Sequence, residues 1–505
     1  MIQHLTSLPV LLPMLAAIIL LLPPCGKNLF ARRLASSVMA IITFVVSVLL
    51  LITVHNEGIN VYAIGNWSAP FGIVLVADML SSLLVALTSF LGVMVVLYGC
   101  AGDDEHGSFF HPLIHFLILG VNGAFLTGDL FNVFVFFEVL LIASYALLMH
   151  GGGKQKTKAA LHYVILNLVG SSAFLIGLGI LYGVLGTLNI ADMAQKISLL
   201  TGDDVYLAKA GGLLLLVVFA LKSALLPLHL WLPNTYSSAA PVVAALFAIM
   251  TKVGVYAMLR VYTVMFGEQA GELEHMAQTW LWGLAIATIV VGAIGVLAAQ
   301  DLRKITANLV LVSVGTLVAL VSLQNINATA ALLYYLVHST LVCAALFLLA
   351  DIISIQRGKV GDRLVAGRVV KQPFLLGTLF IIAALTVIGM PPFSGFVGKI
   401  WILKTTLNSE NAMVFWPAYL ITSLVLIIAL ARAGTSLFWE GKYTGSEPND
   451  APNAHPLQVI AIVGLLICSV MLVVFGGAIS EYTIKAATQL HDISGGINAV
   501  LKGGV

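Results

Sequence analysis

Four ionisable side chains lie inside long apolar segments of this 505-residue chain. They are Glu138, Lys222, Lys252 and Lys399. A charge at the centre of a bilayer costs on the order of 2.5 to 3.5 kcal/mol even on the mildest scale, so each of them needs a partner or water. Buried carboxylates and amines of this kind exchange protons and are typical of ion pathways. The four positions therefore predict a buried route for ion movement.

Two histidines extend this set. His229 follows Lys222 by seven residues, which places both on one helical face if the helix continues, and His338 follows Tyr334 at i+4. An imidazole ring can relay a proton through its two nitrogens. We predict that both histidines take part in proton movement; for either one alone, a hydrogen-bonded core histidine is an equally open interpretation.

Each buried charge also has a purely structural interpretation. A static ion pair with Lys222 would account for Glu138 without any transport. Lys399 could extend its ammonium to the membrane surface, although Lys404 is better placed to do so. Asp78 stands at the start of a span and is expected to be a cap or interface residue. Small polar residues within the spans are expected mainly to join helices, and these are Asn167, Ser171, Asn308, Ser313 and Thr316.

The composition is that of an integral membrane protein. Hydrophobic residues make up 60% of the chain and charged residues 9%, and the mean hydropathy is +1.05; an ordinary soluble domain is roughly 25% charged. The net charge is only +2 and no basic face is interleaved with aromatic residues, so nucleic-acid binding is not supported. The four cysteines form no CxxC pair and have no histidine at ligand spacing. The sequence therefore predicts no disulfide framework, no metal site and no cofactor.

About fourteen membrane crossings are predicted, taking about 20 apolar residues as the length that spans the hydrocarbon. The first segment, MIQHLTSLPVLLPMLAAIILLL, lacks a basic start and a small-residue cleavage site, so we expect a retained span and no signal peptide. The predicted spans are residues 4–22, 29–54, 72–100, 111–127, 130–149, 157–185, 206–228, 240–265, 276–298, 304–323, 329–355, 373–407, 412–438 and 457–480.

Lysine and arginine gather in alternate loops, at 27–33, 154–158, 303–304 and 357–371. By the positive-inside rule these loops face the cytoplasm and both termini lie on the opposite side. The loop GTLNIADMAQKISLLTGDD, which carries Lys196, fits this rule least well and is a candidate for an interfacial helix.

Two of the spans are interrupted by residues that break helices. In LKSALLPLHLWLPNTYSSAAP three prolines remove backbone donors, and in LTVIGMPPFSGFVGK a proline pair is followed by two glycines. Irregular backbone at membrane depth is tolerated only when it is buried in protein or lines a water-filled cavity. Broken helices at corresponding positions of two halves also indicate a transporter repeat.

A short internal similarity supports such a repeat. AALHYVILNLVGS, from Ala159, and AALLYYLVHSTLV, from Ala330, each come one span before a broken helix. We therefore predict an all-α polytopic membrane protein with two inverted five-helix repeats. The predicted division is an N-terminal three-helix segment at 1–110, repeats at 111–265 and 274–440, and a last loop, helix and tail at 441–505.

These residues and their order resemble a known family, the antiporter-like subunits shared by Mrp-type Na+/H+ antiporters and respiratory NADH dehydrogenase. The resemblance covers nearly the whole chain, and its most specific parts are Glu138, the LKSALLPLHLWLPNTYSSAAPVVAALFAIMTKVGVYAML block, QDLRKITANL and GMPPFSGFVGK. It implies that Glu138 and Lys222 form a coupling pair, that Lys252 is a central relay residue, and that Lys399 is the terminal proton-exchange residue. A lysine at this last position is similar to the D-type subunits of the antiporters.

One departure from the family pattern concerns the helix of His338. Many relatives have a lysine shortly after this histidine, whereas this chain reads HSTLVCAALF with Cys343. A proton relay at that point is therefore expected to depend on His338 and water.

The resemblance implies a proton-translocating subunit of a multisubunit monovalent cation/proton antiporter, with Na+ as the expected cation, and not an enzyme. The alternative is an antiporter-like proton-pumping subunit of a respiratory NADH dehydrogenase or membrane hydrogenase. Other membrane subunits and the lipid bilayer are the expected partners, and the bacterial inner (plasma) membrane is the expected location.

Overall fold

The computed structural model describes residues 4–407, 412–439 and 450–502, and within these ranges the chain is mainly helical. The helices are α1 Leu8–Leu21, α2 Leu29–Glu57, α3 Met79–Gly99, α4 Phe110–Leu126, α5 Leu130–Leu148, α6 Lys154–Leu185, α7 Ile190–Ile197, α8 Asp203–Ser223, α9 Trp231–Ser238, α10 Pro241–Val264, α11 Gln278–Ala298, α12 Leu302–Ser322, α13 Ile326–Arg357, α14 Pro373–Ile388, α15 Ser394–Thr406, α16 Ala412–Gly434, α17 Pro456–Val474, α18 Gly476–His491 and α19 Ile493–Lys502.

In the part of the chain that the structure describes, 11 helices are long and apolar enough to cross a membrane, which establishes a polytopic membrane protein. Three further apolar helices, α1, α4 and α14, are shorter than this. The predicted number of fourteen crossings and the inverted repeats remain predictions.

The helices differ in how much of their surface they bury. α10 and α12 are buried on all sides and α13 almost completely, whereas a third or less of the residues in the apolar stretches of α2, α16 and α17 are buried. A helix that is apolar all round is typical of a core position or of a lipid-facing one. The molecule therefore has a helical centre, and the ionisable residues of α10 and α13 lie within it.

Both predicted helix breaks are present. α8 ends at Ser223 and α9 begins at Trp231, while α14 ends at Ile388 and α15 begins at Ser394. Side chains bond several of the backbone groups at or next to the breaks: Leu226 N donates to Thr288 Oγ1 at 2.9 Å, and Trp231 Nε1 donates to the Leu221 carbonyl at 3.1 Å. These bonds provide the partners that irregular backbone needs at membrane depth.

The structure corrects the prediction in three places. Residues Asn60–Ala63 and Val74–Ala77 form an antiparallel hairpin, β1 and β2, so the fold is not purely helical. The span predicted from residue 72 begins only at Met79, because the preceding residues pair in this hairpin. The last predicted span ends at Val474, six residues early, and two more helices follow it.

Asp78 has the predicted capping and interface roles. Its carboxylate accepts from the Ser81 backbone amide at the start of α3, and it forms an ion pair with Arg260 of α10. The loop that carries Lys196 contains the short helix α7, in which this lysine lies 3.1 Å from Asp192.

A network on the side of the basic loops joins the first helices. Arg33 of α2 donates two hydrogen bonds, of 2.7 and 2.6 Å, to the carboxylate of Asp104, and His111 Nε2 of α4 lies 3.1 Å from the same group. Burial by itself would raise the pKa of Asp104, but the hydrogen bonds from Arg33 and His111 outweigh it and hold this pKa at about 2. The carboxylate therefore stays charged and holds α2 against α4.

We expect Asp104→Asn to destabilise the protein by about 1 to 2 kcal/mol, because it removes charge-assisted hydrogen bonds that solvent partly screens. Since an unfolded aspartate titrates near about 3.9, the ion pair stabilises the fold above about pH 4 and is lost as the pH falls toward 2. Thermal unfolding in detergent measures both effects, with Asp203→Asn, at an exposed carboxylate, as the control. An Asp104→Asn protein as stable as the wild type at pH 7 would contradict this role.

Candidate functional site

One hydroxyl lies between the first two of these charges, the half-buried Glu138 and the buried Lys222. Ser171 Oγ of α6 donates a short hydrogen bond to Glu138 of α5 and accepts one of 3.3 Å from Lys222 Nζ of α8. Lys222 Nζ also donates to Asn167 Oδ1 at 3.3 Å. Asn167 and Ser171 are four residues apart, on one face of α6, so this helix presents both acceptors to the lysine.

Glu138 and Lys222 are therefore neighbours through Ser171, with no ion pair within 4 Å between them in the part of the chain that the structure describes. The sequence pointed to a direct pair and assigned Ser171 to helix packing. A hydroxyl can accept from an ammonium and donate to a carboxylate at the same time. The arrangement is a hydrogen-bonded chain of three groups.

Lys252 lies at the centre of the molecule and is completely buried in α10. Its ammonium donates to Ser313 Oγ of α12 at 3.0 Å and lies 3.5 Å from the hydroxyl of Thr251. Two hydroxyls are few partners for a buried ammonium, which carries three donors. The sequence identified Lys252 but assigned Ser313 to helix packing alone.

A small cavity borders Ser313, the hydroxyl partner of this lysine. Its volume is about 20 Å³, and its lining includes Ser313, His338 and Cys343. A cavity of this size has room for about one water molecule. Ser313 borders the cavity and bonds Lys252, so the cavity separates the central lysine from the histidine of α13.

His338 continues the polar groups toward the second broken helix. Its Nδ1 lies 2.8 Å from Ser394 Oγ, at the start of α15, and Ser394 shares a hydrogen bond of 2.5 Å with Ser469 of α17. The backbone approaches closely here, because a Cβ atom at Gly395 would overlap the Thr386 carbonyl and lie 3.1 Å from His338 Cε1. Gly395 thus allows the break to close on the histidine.

Lys399 lies within α15 and points back into the break. Its ammonium donates to the Ile388 carbonyl at 2.7 Å and to Ser423 Oγ at 3.0 Å. The carbonyl belongs to the last residue of α14, so the lysine bonds an acceptor that the helix end leaves free. In the structure the ammonium is therefore held between α14 and α16.

The structure does not join His229 to the other groups. α8 ends at Ser223, so the helical alignment of His229 with Lys222 does not exist. Within the described residues, its Nδ1 is buried without a hydrogen-bond partner. The clusters of Lys222 and Lys252 are likewise not linked by a hydrogen bond within these residues.

One cluster was not predicted from the sequence, because its members meet only when the helix ends around them fold together. Ligand atoms of Cys100, Asp104 and His111 lie within 4.8 Å of one another, although their spacing along the chain is not that of a metal motif. Arg33 already occupies both oxygens of Asp104. Burial raises the pKa of the Cys100 thiol, which favours its protonated form. The cluster is therefore accounted for by the ion pair.

Comparison with known proteins gives a consistent result. The family model described as NADH:quinone oxidoreductase/Mrp antiporter, transmembrane, matches residues 127–426. The chain is 36% identical over 521 residues to the D subunit of a probable K+/H+ antiporter of Rhizobium meliloti (strain 1021), covering 97% of this chain and 96% of that protein. It is 38% identical over 498 residues to the D subunit of the Na+/H+ antiporter of Bacillus subtilis (strain 168), covering 98% and 99%.

Solved structures share the fold over almost the full length. A chain of the Mrp complex from Dietzia sp. DQ12-45-1b superposes with a TM-score of 0.86 at 27% identity, covering 99% of both chains. A chain of the membrane-bound sulfane sulfur reductase, an archaeal respiratory membrane complex, superposes with a TM-score of 0.88 at 22% identity, covering 98% and 99%. At that identity the second match shows the fold alone.

We expect Gly395→Ala to destabilise the protein by about 1 to 3 kcal/mol, the usual cost of forcing atoms into a packed site. Gly283→Ala in α11 is the matched control, because a Cβ there meets no atom within 4 Å and alanine favours helix. Thermal unfolding of both variants in detergent measures the difference. Equal melting temperatures would show that the second break does not need this close approach.

Proposed function

The chain belongs to the NADH:quinone oxidoreductase/Mrp antiporter family, and we propose that it moves protons along its buried polar groups as a subunit of a multisubunit monovalent cation/proton antiporter. The observation that carries this proposal is the bonded chain Lys222–Ser171–Glu138. A static ion pair needs no hydroxyl between its charges, whereas a proton pathway uses one.

The geometry permits a balanced transfer at this first cluster. A proton leaves Lys222 Nζ for Ser171 Oγ while the serine proton passes to the Glu138 carboxylate. One N–H bond and one O–H bond break, and two O–H bonds form. The products are a neutral amine and a neutral acid, so neither Lys222 nor Glu138 carries a charge after the transfer. Loss of these two charges changes the electrostatic potential at the next buried lysine, Lys252.

The second half of the proposed route runs from Lys252 to Lys399. Ser313 and the small cavity separate Lys252 from His338, and Ser394 bonds this histidine at the start of α15. A histidine can accept a proton at one ring nitrogen and release one from the other. With Cys343 in the wall of the cavity, the relay here depends on His338 and on a water in the cavity.

The two broken helices give the proposed route its ends. The first cluster lies beside the end of α8, and Lys399 bonds the last carbonyl of α14. Backbone groups that a broken helix leaves free can solvate an ion or a proton-bearing group inside the membrane. Glu138 and Lys399 are therefore the proposed exchange groups, and Lys252 is the group between them.

The relatives favour the antiporter over the respiratory alternative. Proteins that are 36% and 38% identical over almost the full chain carry the names of antiporter D subunits, whereas the respiratory complexes match at 22% identity. The named cation differs between these relatives, K+ in one and Na+ in the other. We retain Na+ as the proposed cation and a bacterial plasma membrane as the proposed location.

Assembly with other membrane subunits follows from the same comparison, since the matching Dietzia chain comes from a complex. α2 and α16 leave long rows of apolar side chains uncovered in the single chain. Lipid or the neighbouring subunits of the proposed complex would cover these rows.

Glu138→Ala and Lys222→Ala should each abolish antiport, because each change removes a titratable group of the proposed route, which water cannot replace as it can a bridging hydroxyl. The assay is cation-induced dissipation of a pH gradient in membrane vesicles that contain the complete complex, with assembly checked on native gels. Lys209→Ala, at an exposed lysine of α8, is the control and should retain activity. Retained exchange in an assembled Glu138→Ala or Lys222→Ala complex would overturn the proposed route.

Ser171→Ala should slow antiport by about tenfold, since the two charges then lack their bridging hydroxyl and depend on water. Ser172→Ala is a matched control one residue away: its side chain is exposed and bonds only its own helix, at Leu168 O. The same vesicle assay compares both variants. Equal rates in the two variants would mean that Ser171 serves only in helix packing.

A further inference from the structure

The Glu138–Ser171–Lys222 chain has different surroundings on its two sides. α5 runs toward the basic loops from Leu130 to Leu148, and α6 runs in the opposite direction from Lys154 to Leu185. The residues of α5 that follow Glu138 therefore lie toward the basic loops, and so do the residues of α6 that precede Ser171. These loops face the cytoplasm by the positive-inside rule.

On the side away from the basic loops, phenylalanine rings cover the chain. Phe174 lies at the centre of this group, with ring centroids 5.6 Å from Phe134, 6.2 Å from Phe137 and 5.5 Å from Phe219. Phe137 also places its ring 5.9 Å from Lys222 Nζ. These four side chains carry no hydrogen-bonding group, and Phe137, Phe174 and Phe219 are buried. In this direction the rings next to the chain offer a proton no hydrogen-bonding group.

Toward the basic loops, the aromatic side chains carry hydroxyl groups. The rings of Tyr145 on α5 and Tyr163 on α6 are 5.3 Å apart and nearly perpendicular, and Tyr163 shares a hydrogen bond of 3.1 Å with Ser144. Tyr163 also packs against Trp231, whose indole bonds the carbonyl next to Lys222. Three hydroxyls thus lie between the charged chain and the cytoplasmic loops.

The hydroxyl of Tyr145 is the unusual member. It is buried and has no hydrogen-bond partner among the residues that the structure describes, whereas Tyr163 is bonded. An unsatisfied buried hydroxyl costs about 1 to 3 kcal/mol, so a position of this kind calls for a reason. Helix packing alone does not explain the tyrosine, because a phenylalanine would fill the same space without an unsatisfied hydroxyl.

Tyr145 is also placed toward Glu138. The two residues are seven apart on α5, which is two turns and roughly 10 Å along the helix, on the same face. Long side chains in a helix lean toward its N-terminus, so the tyrosine leans toward the turn of the glutamate. Within the described residues Tyr145 Oη bonds no side chain, so a proton that passes between it and Glu138 needs an intervening water.

We propose that the Tyr145 hydroxyl, supported by Tyr163 and Ser144, is the group that passes protons between the cytoplasmic side and Glu138. A phenol donates its own proton while it accepts another, so it relays protons without changing charge. The phenylalanine group closes the opposite side, which makes the exchange one-sided. This inference rests on the proposed function, because it names the group that supplies the first carboxylate of that route.

Tyr145→Phe tests the inference because it removes one oxygen and keeps the ring. We expect antiport in vesicles with the complete complex to fall by about tenfold, with a larger solvent deuterium isotope effect. Tyr262→Phe is the matched control, since its buried hydroxyl is already bonded to the Gly212 carbonyl at 2.7 Å, and it should retain the wild-type rate. A wild-type rate in Tyr145→Phe overturns the inference; if Glu138→Ala is inactive in the same assay, the proposed function stands.

Accessibility gives an independent measurement that a purely structural role would not change. In Tyr145→Cys, a membrane-impermeant thiol reagent should label the new cysteine from the cytoplasmic side, above the background of the four native cysteines in the wild type. Phe174→Cys should resist the reagent from both sides. Labelling of Tyr145→Cys only from the opposite side, or from neither side, overturns the proposed direction even where Tyr145→Phe fails to assemble.

Discussion

The structure depends on keeping charged side chains inside a membrane without leaving them unsolvated. Each of the three lysines within the apolar segments meets this constraint through a hydroxyl oxygen on a neighbouring helix: Lys222 through Ser171, Lys252 through Ser313 and Lys399 through Ser423. A hydrogen bond to a hydroxyl lowers the desolvation free energy of a buried ammonium but does not neutralise its charge. The lysines are thereby held in place while remaining able to respond to a neighbouring charge, which a direct ion pair would suppress.

The broken helices meet a related constraint on the backbone. A helix that ends inside the membrane exposes carbonyl and amide groups, and these need partners. Here the second break uses a proposed proton-exchange group as one of the partners, because Lys399 bonds the last carbonyl of α14. Gly395 is required at the same break because a side chain would overlap the Thr386 carbonyl. The position of Lys399 therefore depends on the backbone conformation of the second break.

The charged residues near the membrane surfaces have a different role from the buried ones. The ion pairs of Arg33 with Asp104 and of Arg260 with Asp78 join helices that are far apart in sequence. They fix the N-terminal helices against α4 and α10, where the fully buried Lys252 lies. Opposite charges in direct contact occur at these surfaces, and charges separated by hydroxyls occur in the centre. This difference separates residues that hold the fold from residues proposed to move protons.

The sequence by itself determined the membrane class, both helix breaks and the identity of the buried charges, since apolar length, proline and ionisable residues are local properties. Tertiary structure decided the contacts. Ser171 and Ser313 looked like packing residues, because nothing local shows which helix a serine will face. His229 looked aligned with Lys222 only as long as the helix was assumed to continue. The orphaned hydroxyl of Tyr145 likewise depends on the packing of several helices. A sequence shows which charged groups need hydrogen-bond partners inside the membrane. Only the packing of the helices shows which side chains and backbone groups provide them.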